Sequence, residues 1–344
     1  MRPPLLALFD KSEIGGDDAL LELARARLEA AGLGAEVYPR SPAHLERLLG
    51  FVPAGVCTAH LPRHLDLLQA GDREQILGFA RNAGGRLYGL NVHEHRSYTA
   101  RFEAAVAAIR AIDQALGAIP GAPRLFVEFT AGLTTDTFAA LFEQTSEAER
   151  VSACIDVGHV GIRACADAFF AATGDDAFAL EPDSPRLPRV LGAMQEAVAE
   201  ALPRALELVG RLGRLGKPLH LHLHDGHPLS RSTPYRVSDH LGFLDHVELP
   251  FAYEGRRLLG GMYGVAGLRA IVAAARAALP PAKLSCLLEI HARPGRLPLG
   301  GHERLFAHWA DRTNAERMNQ WLETLIENAT LFEDAWQLAG QPQR

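Results

Sequence analysis

The sequence predicts an α/β fold, a (β/α)8 TIM barrel, from two observations. Short apolar runs alternate with longer helical patterns along the chain, and eight such runs can be distinguished. Alternation of this kind favours a parallel sheet, and eight strands favour a closed barrel over an open sheet. The 344 residues would also allow two domains, but barrels commonly fill roughly 250 to 400 residues as one. We therefore expect a single domain over residues 1–344.

The predicted elements follow one another as strand and helix. The strands are Leu5–Phe9, Ala35–Tyr38, Gly55–His60, Arg86–His93, Arg124–Glu128, Val151–Asp156, Pro218–His224 and Leu284–Glu289. The helical patterns cover Asp17–Ala31, Pro42–Leu49, Arg73–Arg81, Tyr98–Ala115, Thr135–Gln144, Arg189–Leu215 and Leu268–Ala278. Because consecutive strands of a barrel are parallel, their carboxyl ends should all meet at one face.

The spacing of the strands is uneven. Long insertions at about 160–217 and 225–264 follow the sixth and seventh strands, on the face where barrels build their active sites. A C-terminal helical segment is expected at about 303–340, and Ala315–Leu338 carries an apolar face at helical spacing. That face suits packing on the barrel wall or on a second copy in a homo-oligomer.

Composition excludes several classes of protein. The chain is 48% hydrophobic and 22% charged with a net charge of −6, which describes a soluble globular protein. Apolar runs end well before 18 residues and the N-terminus lacks a signal peptide, so we expect no membrane segment. Four cysteines without paired spacing suit a reducing cytoplasm. An acidic chain without a Lys/Arg cluster argues against a nucleic-acid partner.

The residues able to carry chemistry share one position, the carboxyl end of a predicted strand. They are His60, His93, Glu128, Asp156, His222 and Glu289, with His159 three residues after Asp156. In a barrel these side chains converge on one pocket mouth. Buried carboxylates need compensation, and several at one place need a cation. A divalent metal with oxygen and imidazole ligands meets that need.

The seventh strand carries histidines at every second position, His220, His222 and His224. This period places all three on one face of the strand, where a barrel core usually has Val, Ile or Leu. An exposed edge strand with a polar face is the alternative. Cysteines also precede the candidate ligands inside three strands, and we interpret Cys57, Cys154 and Cys286 as small buried hydrophobic residues.

Four motifs together resemble the xylose isomerase-like TIM-barrel superfamily, which contains sugar and sugar-phosphate isomerases and epimerases as well as endonuclease IV. They are Glu128-Phe-Thr-Ala-Gly132, Asp156-Val-Gly-His159, His222-Leu-His-Asp225 and the strand-terminal Glu289. The resemblance covers most of the chain, from about residue 5 to about residue 295. It implies a divalent metal (Mn, Mg, Co or Zn) held by Glu128, Asp156, His222 and Glu289. It also implies substrate contacts from His159, and we add His93 and His60.

The function implied by this resemblance is isomerisation or epimerisation of a small sugar, sugar phosphate or related polyhydroxylated carbonyl compound in carbohydrate metabolism. Glu128 and Glu289 would exchange a proton with the substrate carbon through an enediolate. The sequence does not name the substrate. The superfamily also contains dehydratases, so the reaction type is an expectation by analogy.

Two alternatives stay open. Endonuclease IV binds three zinc ions, and His60 and His93 fall where its two upstream histidines would lie. Its Asp-x-His pair is replaced here by adjacent pairs, Asp239-His240 and Asp245-His246. A catalytically inactive barrel used for binding is the second alternative. Roles for these four residues and for His227 stay unassigned. Four arginines just beyond strand ends or in the long loops would suit an anionic substrate: Arg96, Arg231, Arg236 and Arg293.

Overall fold

A computed structural model of the chain describes residues 2–9, 17–180, 184–228, 240–243, 247–253, 256–291 and 315–341. Contacts divide the chain into two compact units. Unit 1 comprises Met1–Asp156, Gly210–His222 and Ala278–Leu288, and unit 2 comprises Val157–Val209, Leu223–Ala277 and Glu289–Arg344. Some residues considered above lie outside the described ranges: Arg231, Arg236, Asp239, Asp245, His246 and Arg293.

Unit 1 is built around a closed barrel of eight parallel strands, which confirms the predicted TIM barrel. The strands are β1 (Leu5–Leu8), β2 (Gly34–Val37), β3 (Cys57–His60), β4 (Gly89–His93), β5 (Arg124–Glu128), β6 (Val151–Asp156), β7 (Leu219–Leu223) and β10 (Leu284–Leu288). Their order around the barrel is β1-β10-β7-β6-β5-β4-β3-β2. The eight predicted strands match these elements, with ends that differ by up to three residues.

Helices alternate with the first six strands. They are α1 (Asp18–Ala30), α2 (Pro42–Leu48), α3 (Ala70–Ala83), α4 (Ser97–Ala100), α5 (Phe102–Gly117) and α6 (Thr135–Glu143). Short polar side chains cap three of them, because the Asp17 carboxylate and the Ser41 and Thr134 hydroxyls accept backbone N–H groups of the first turn. The predicted helix over Tyr98–Ala115 is divided into α4 and α5 at Arg101, whose ψ of 40° is not helical.

The register of the strands explains why polar strand ends meet. The Cα partners are His60 with Asn91, His93 with Glu128, and Asp156 with His222. Each of these residues lies at the carboxyl end of its strand or within two residues of it. A candidate site is thereby built from residues far apart in the sequence.

Unit 2 is mainly helical. It contains α7 (Val157–Thr173), α8 (Leu187–Val198), most of α9 (Ala201–Gly213) and of α10 (Gly264–Ala278), and α11 (Ala315–Leu338). It also contains an antiparallel hairpin of β8 (Val247–Tyr253) and β9 (Arg256–Gly260). Phe169 of α7 packs with Leu191 and Met194 of α8 in a buried apolar cluster. The bounds of α11 confirm the predicted helix over Ala315–Leu338.

Two features of unit 2 differ from the sequence predictions. The prediction of a single helix over Arg189–Leu215 was wrong, because α8 ends at Val198 and α9 starts at Ala201. Pro203 explains the break, since a proline ring clashes with the carbonyl four residues earlier, here that of Ala199. The insertion at about 225–264 holds the β8–β9 hairpin, which sequence analysis did not assign.

Every helix of the described residues is too short or too polar to span a membrane.

Candidate metal centre

The centre of the candidate site in unit 1 is the carboxylate of Glu128, the last residue of β5. Its Oε2 atom lies 2.9 Å from His60 Nε2 and 3.5 Å from His222 Nδ1. Its Oε1 atom lies 3.8 Å from His93 Nε2, and the Nε2 atoms of His60 and His93 are 3.2 Å apart. One buried carboxylate is therefore surrounded by three imidazoles from three other strands.

Asp156 at the end of β6 adds a second carboxylate. One possible ligand atom from each of Glu128, Asp156 and His222 lies within 4.8 Å of the others. His60, His93 and Glu128 form another group under the same distance limit. Glu128 thus belongs to two potential ligand sets, a position in which a carboxylate can bridge two ions.

Electrostatics favour the ionised form of Glu128. Burial by itself disfavours its charge, but His222, His60 and His93 together hold the pKa of Glu128 below its ordinary value. A carboxylate that stays ionised next to imidazole nitrogens is a suitable metal ligand and a suitable proton acceptor.

Hydrogen bonds orient the imidazole of His60. Its Nδ1 atom lies 3.1 Å from the carbonyl oxygen of Leu61. Because a carbonyl only accepts, this contact keeps a proton on Nδ1, and Nε2 is the nitrogen that faces Glu128. Metal-binding histidines are commonly fixed in this way by the partner of their other nitrogen.

Sequence reasoning missed Glu36, a fully buried carboxylate in the middle of β2. It accepts hydrogen bonds from Thr58 Oγ1 at 2.8 Å, from Tyr38 Oη at 3.1 Å and from Asn91 Nδ2. Its oxygens face His222 Nε2 at 3.7 Å and His220 Nε2 at 3.5 Å. Burial opposes its charge, but His222 and His220 lower its pKa strongly. A charged residue inside a predicted barrel strand is the sequence signal that could have found it.

The structure gives His220 and Cys154 supporting positions rather than ligand chemistry. Burial lowers the pKa of His220, whose Nδ1 lies 2.8 Å from Ser285 Oγ. Burial raises the pKa of Cys154 well above its ordinary value, so its sulfur is a thiol, although it lies within 4.8 Å of His220 and His222. Since metals bind the thiolate, a metal at Cys154 would have to displace this proton. All four cysteines are buried, consistent with the interpretation of three of them as apolar filling.

Unit 2 contains a separate group of histidines. His159, His224 and His240 each offer a nitrogen within 4.8 Å of the others. The ring centroids of His224 and His240 are 4.2 Å apart, and His159 is 5.4 Å from each. His224 and His240 are buried. Three imidazoles at this spacing can serve as a zinc-type ligand set.

Glu289 belongs to the same unit and directly follows Leu288, the last residue of β10. Its N–H donates to the carbonyl of Leu223 at 3.0 Å. Its carboxylate oxygens face His240 Nδ1 at 3.8 Å and His291 Nε2 at 3.6 Å. Sequence analysis left His240 unassigned and did not single out a role for His291, because neither lies in a strand.

His227 is buried and burial lowers its pKa to about 4.

The absence of a side chain at Gly158, in the Asp156-Val-Gly-His159 motif, has a steric explanation. A Cβ atom on Gly158 would lie 1.9 Å from Cε1 of His224. The first turn of α7 can therefore approach the His224 ring only without a side chain at this position. The motif combines a strand-end carboxylate, a close backbone approach and His159.

Two buried carboxylates hold loops next to the motifs. Asp225, from the His222-Leu-His-Asp225 motif, accepts N–H groups from Gly226, Met262, Tyr263 and Gly264 at 2.7–3.3 Å. Glu94 accepts N–H groups from Thr130, Gly132 and Leu133 at 2.8–3.2 Å, which explains the loop in Glu128-Phe-Thr-Ala-Gly132. These carboxylates shape the backbone next to the candidate ligands.

The donor set fits a divalent metal with imidazole and carboxylate ligands. Unit 1 brings together five residues predicted from the sequence: His60, His93, Glu128, Asp156 and His222. The other two predicted residues, His159 and Glu289, lie in unit 2, each within a histidine-containing group. Neither the protein-family models nor the curated proteins give a match for this chain.

Proposed function

We propose that this protein is a divalent-metal-dependent isomerase or epimerase of a small polyhydroxylated carbonyl compound. The group formed by Glu128, Asp156 and His222 carries the proposal, because it matches three of the four ligands expected from the resemblance. Glu289, placed directly after β10, is the proposed fourth ligand. Bound there, Mn, Mg, Co or Zn would polarise the carbonyl and hydroxyl oxygens of the substrate.

The chain's own residues would perform the proton transfer. Glu128 is held in its ionised form and can accept a proton from the carbon next to the carbonyl. In an epimerisation, Glu289 would return a proton to the opposite face of the same carbon. In an isomerisation, it would protonate the former carbonyl carbon while the hydroxyl proton moves to the former carbonyl oxygen. His60 and His93 can hydrogen-bond substrate oxygens from the side of β3 and β4, while His159 is proposed as a further substrate contact. The intermediate of such a transfer is an enediolate.

Exchange of substrate hydrogen with solvent tests this reaction. We expect the metal-loaded protein to incorporate deuterium from D₂O beside the carbonyl of at least one member of a panel of ketoses, aldoses and their phosphates, followed by NMR. Glu128→Gln should reduce the exchange rate at least about 1,000-fold, because the amide cannot accept the proton. Circular dichroism should show a folded variant.

The exposed Glu147, which pairs with Arg110 on the helical surface, supplies the control. Glu147→Gln should exchange deuterium at the wild-type rate. Exchange by Glu128→Gln at that same rate would remove Glu128 from the mechanism. Absence of exchange with the whole panel would contradict the proposed reaction.

A second candidate function, a multi-zinc phosphodiester hydrolase, is favoured by one specific observation. Glu128 is shared between two potential ligand sets, and another set is formed by His159, His224 and His240. Several zinc ions around a shared carboxylate are typical of hydrolases that activate water for attack on phosphorus. Elemental analysis separates the two functions: three tightly bound zinc ions per chain favour the hydrolase, and one exchangeable ion favours the isomerase.

A further inference from the structure

A cavity of about 360 Å³ lies in unit 1 beyond the carboxyl ends of β2 and β3. It is lined by Tyr38, Pro39, Arg40, His60, Leu61, Pro62, Arg63 and His64. Volumes of this size accommodate small ligands. Its position is at the end of the barrel that carries Glu128 and Asp156, so a ligand in the cavity could reach the candidate metal centre.

The inner wall of the cavity is continuous with that centre. His60 lines the cavity and also lies 2.9 Å from the Glu128 carboxylate. The Tyr38 ring stacks on His60 with centroids 5.0 Å apart, and its hydroxyl donates to Glu36. The buried carboxylates of Glu128 and Glu36 therefore contact the two aromatic rings of this wall.

The outer wall is positively charged and its backbone is stiff. Pro39-Arg40 follows β2 and Pro62-Arg63 follows β3, so the same dipeptide occurs at two neighbouring strand ends. Proline fixes the backbone φ angle immediately before each arginine. In addition, Arg40 N–H donates to His44 Nδ1 at 3.1 Å.

Both arginines are available to a ligand. Their side chains are exposed, and none of the described residues that line the cavity is a carboxylate. Within the described part of the chain, neither guanidinium forms an ion pair. By contrast, most arginines that form an ion pair within the described residues do so with a carboxylate on a helix, as Arg86 does with Glu46. Guanidinium groups from two residues that line one cavity match the oxygens of a doubly charged anion.

We propose that the cavity binds the phosphate group of a phosphorylated substrate through Arg40 and Arg63, with the carbonyl end of the substrate directed past His60 to Glu128. The proposal rests on the proposed function and specifies its substrate class as a sugar phosphate. A phosphate carries about two negative charges at neutral pH, and two arginines balance that charge better than they would a single carboxylate.

Calorimetric titration of the full-length, EDTA-treated protein with inorganic phosphate tests the cavity without metal. We expect one phosphate per chain, bound more tightly than acetate. Arg40→Gln and Arg63→Gln should each weaken phosphate binding about tenfold, as expected for one charge-assisted contact, and the double variant should not bind. Arg214→Gln is the matched control, because this exposed arginine lies before β7, toward the amino ends of the strands.

Three results would overturn the proposal: no phosphate binding by the wild type, wild-type phosphate affinity in the double variant, or acetate binding as tight as phosphate binding. A parallel Mn²⁺ titration keeps the two proposals distinguishable. If Mn²⁺ binds but phosphate does not, only the phosphate site fails. If phosphate binds as predicted but no divalent metal binds, the metal-dependent function fails and the anion site stands.

Discussion

At the scale of residues, the orientation of His222 decides which nitrogen can bind a metal. Its Nδ1 faces Glu128 at 3.5 Å, and its Nε2 faces the Glu36 carboxylate at 3.7 Å. If Nδ1 binds a metal, the ring proton is on Nε2, where the Glu36 carboxylate can accept it. Carboxylate–histidine–metal arrangements use this geometry to strengthen the imidazole as a ligand.

Glu36→Gln tests this arrangement. The amide keeps the size of the side chain but removes its charge, so we expect the affinity for Mn²⁺ or Zn²⁺ to fall about 10- to 100-fold. Calorimetric titration measures the affinity, and chemical denaturation reports stability separately. The exposed Glu46 pairs with Arg86 on the surface, and Glu46→Gln should leave metal affinity unchanged. Unchanged affinity in Glu36→Gln would remove Glu36 from the metal centre.

Gly158 gives a prediction for the histidine group of unit 2. Since a Cβ atom would lie 1.9 Å from the His224 ring, Gly158→Ala should displace this ring and disrupt the group with His159 and His240. If that group binds zinc, the variant should hold one ion fewer per chain by elemental analysis. Gly71→Ala is the control, because nothing lies within 4 Å of a Cβ there. Equal zinc content in the two variants would exclude a metal at these histidines.

At the scale of elements, Asp225 fixes the start of α10. Its carboxylate accepts the N–H groups of Met262, Tyr263 and Gly264, and Gly264 is the first residue of the helix. Burial raises the pKa of Asp225 to about 6, although these N–H groups oppose the shift. The side chain therefore acts as an internal cap that connects the segment after β7 to α10.

Removal of this carboxylate should destabilise the protein. Asp225→Ala leaves several buried N–H groups without their acceptor, so we expect the free energy of unfolding to fall by about 3–5 kcal/mol. Urea denaturation followed by circular dichroism measures the change. Asp225→Asn retains one acceptor oxygen and should lose less. A loss below about 1 kcal/mol in Asp225→Ala would show that the cap contributes little.

The elements also show what sequence reasoning can and cannot predict. Strands ending in Glu128 and Asp156 were found with their exact bounds, because an apolar run closed by one polar residue is a clear signal. α7 was missed because Gly158 and Gly161 weaken its helical pattern, although they allow close approach to His224 and Tyr263. Glu36 was missed although its strand was predicted, because it lies inside β2 rather than at the strand end and its partners come from other strands.

At the scale of the whole molecule, the barrel explains why residues from Glu36 to His222 in the sequence form one polar cluster. Their strands are parallel and in register, so each contributes a side chain at the same end. Sequence patterns predicted the barrel and most of this cluster. They could not predict which nitrogen of each histidine is directed inward, because that depends on hydrogen bonds to partners such as Leu61 and Glu36.

The central proposal is that Glu128, Asp156 and His222 hold a divalent metal. An anomalous difference map from a crystal of the Mn²⁺-loaded protein tests it most directly. The account predicts a peak bonded to Glu128, Asp156 and His222 Nδ1 at about 2.0–2.3 Å. A map from fully loaded protein with no peak at these three residues would contradict it.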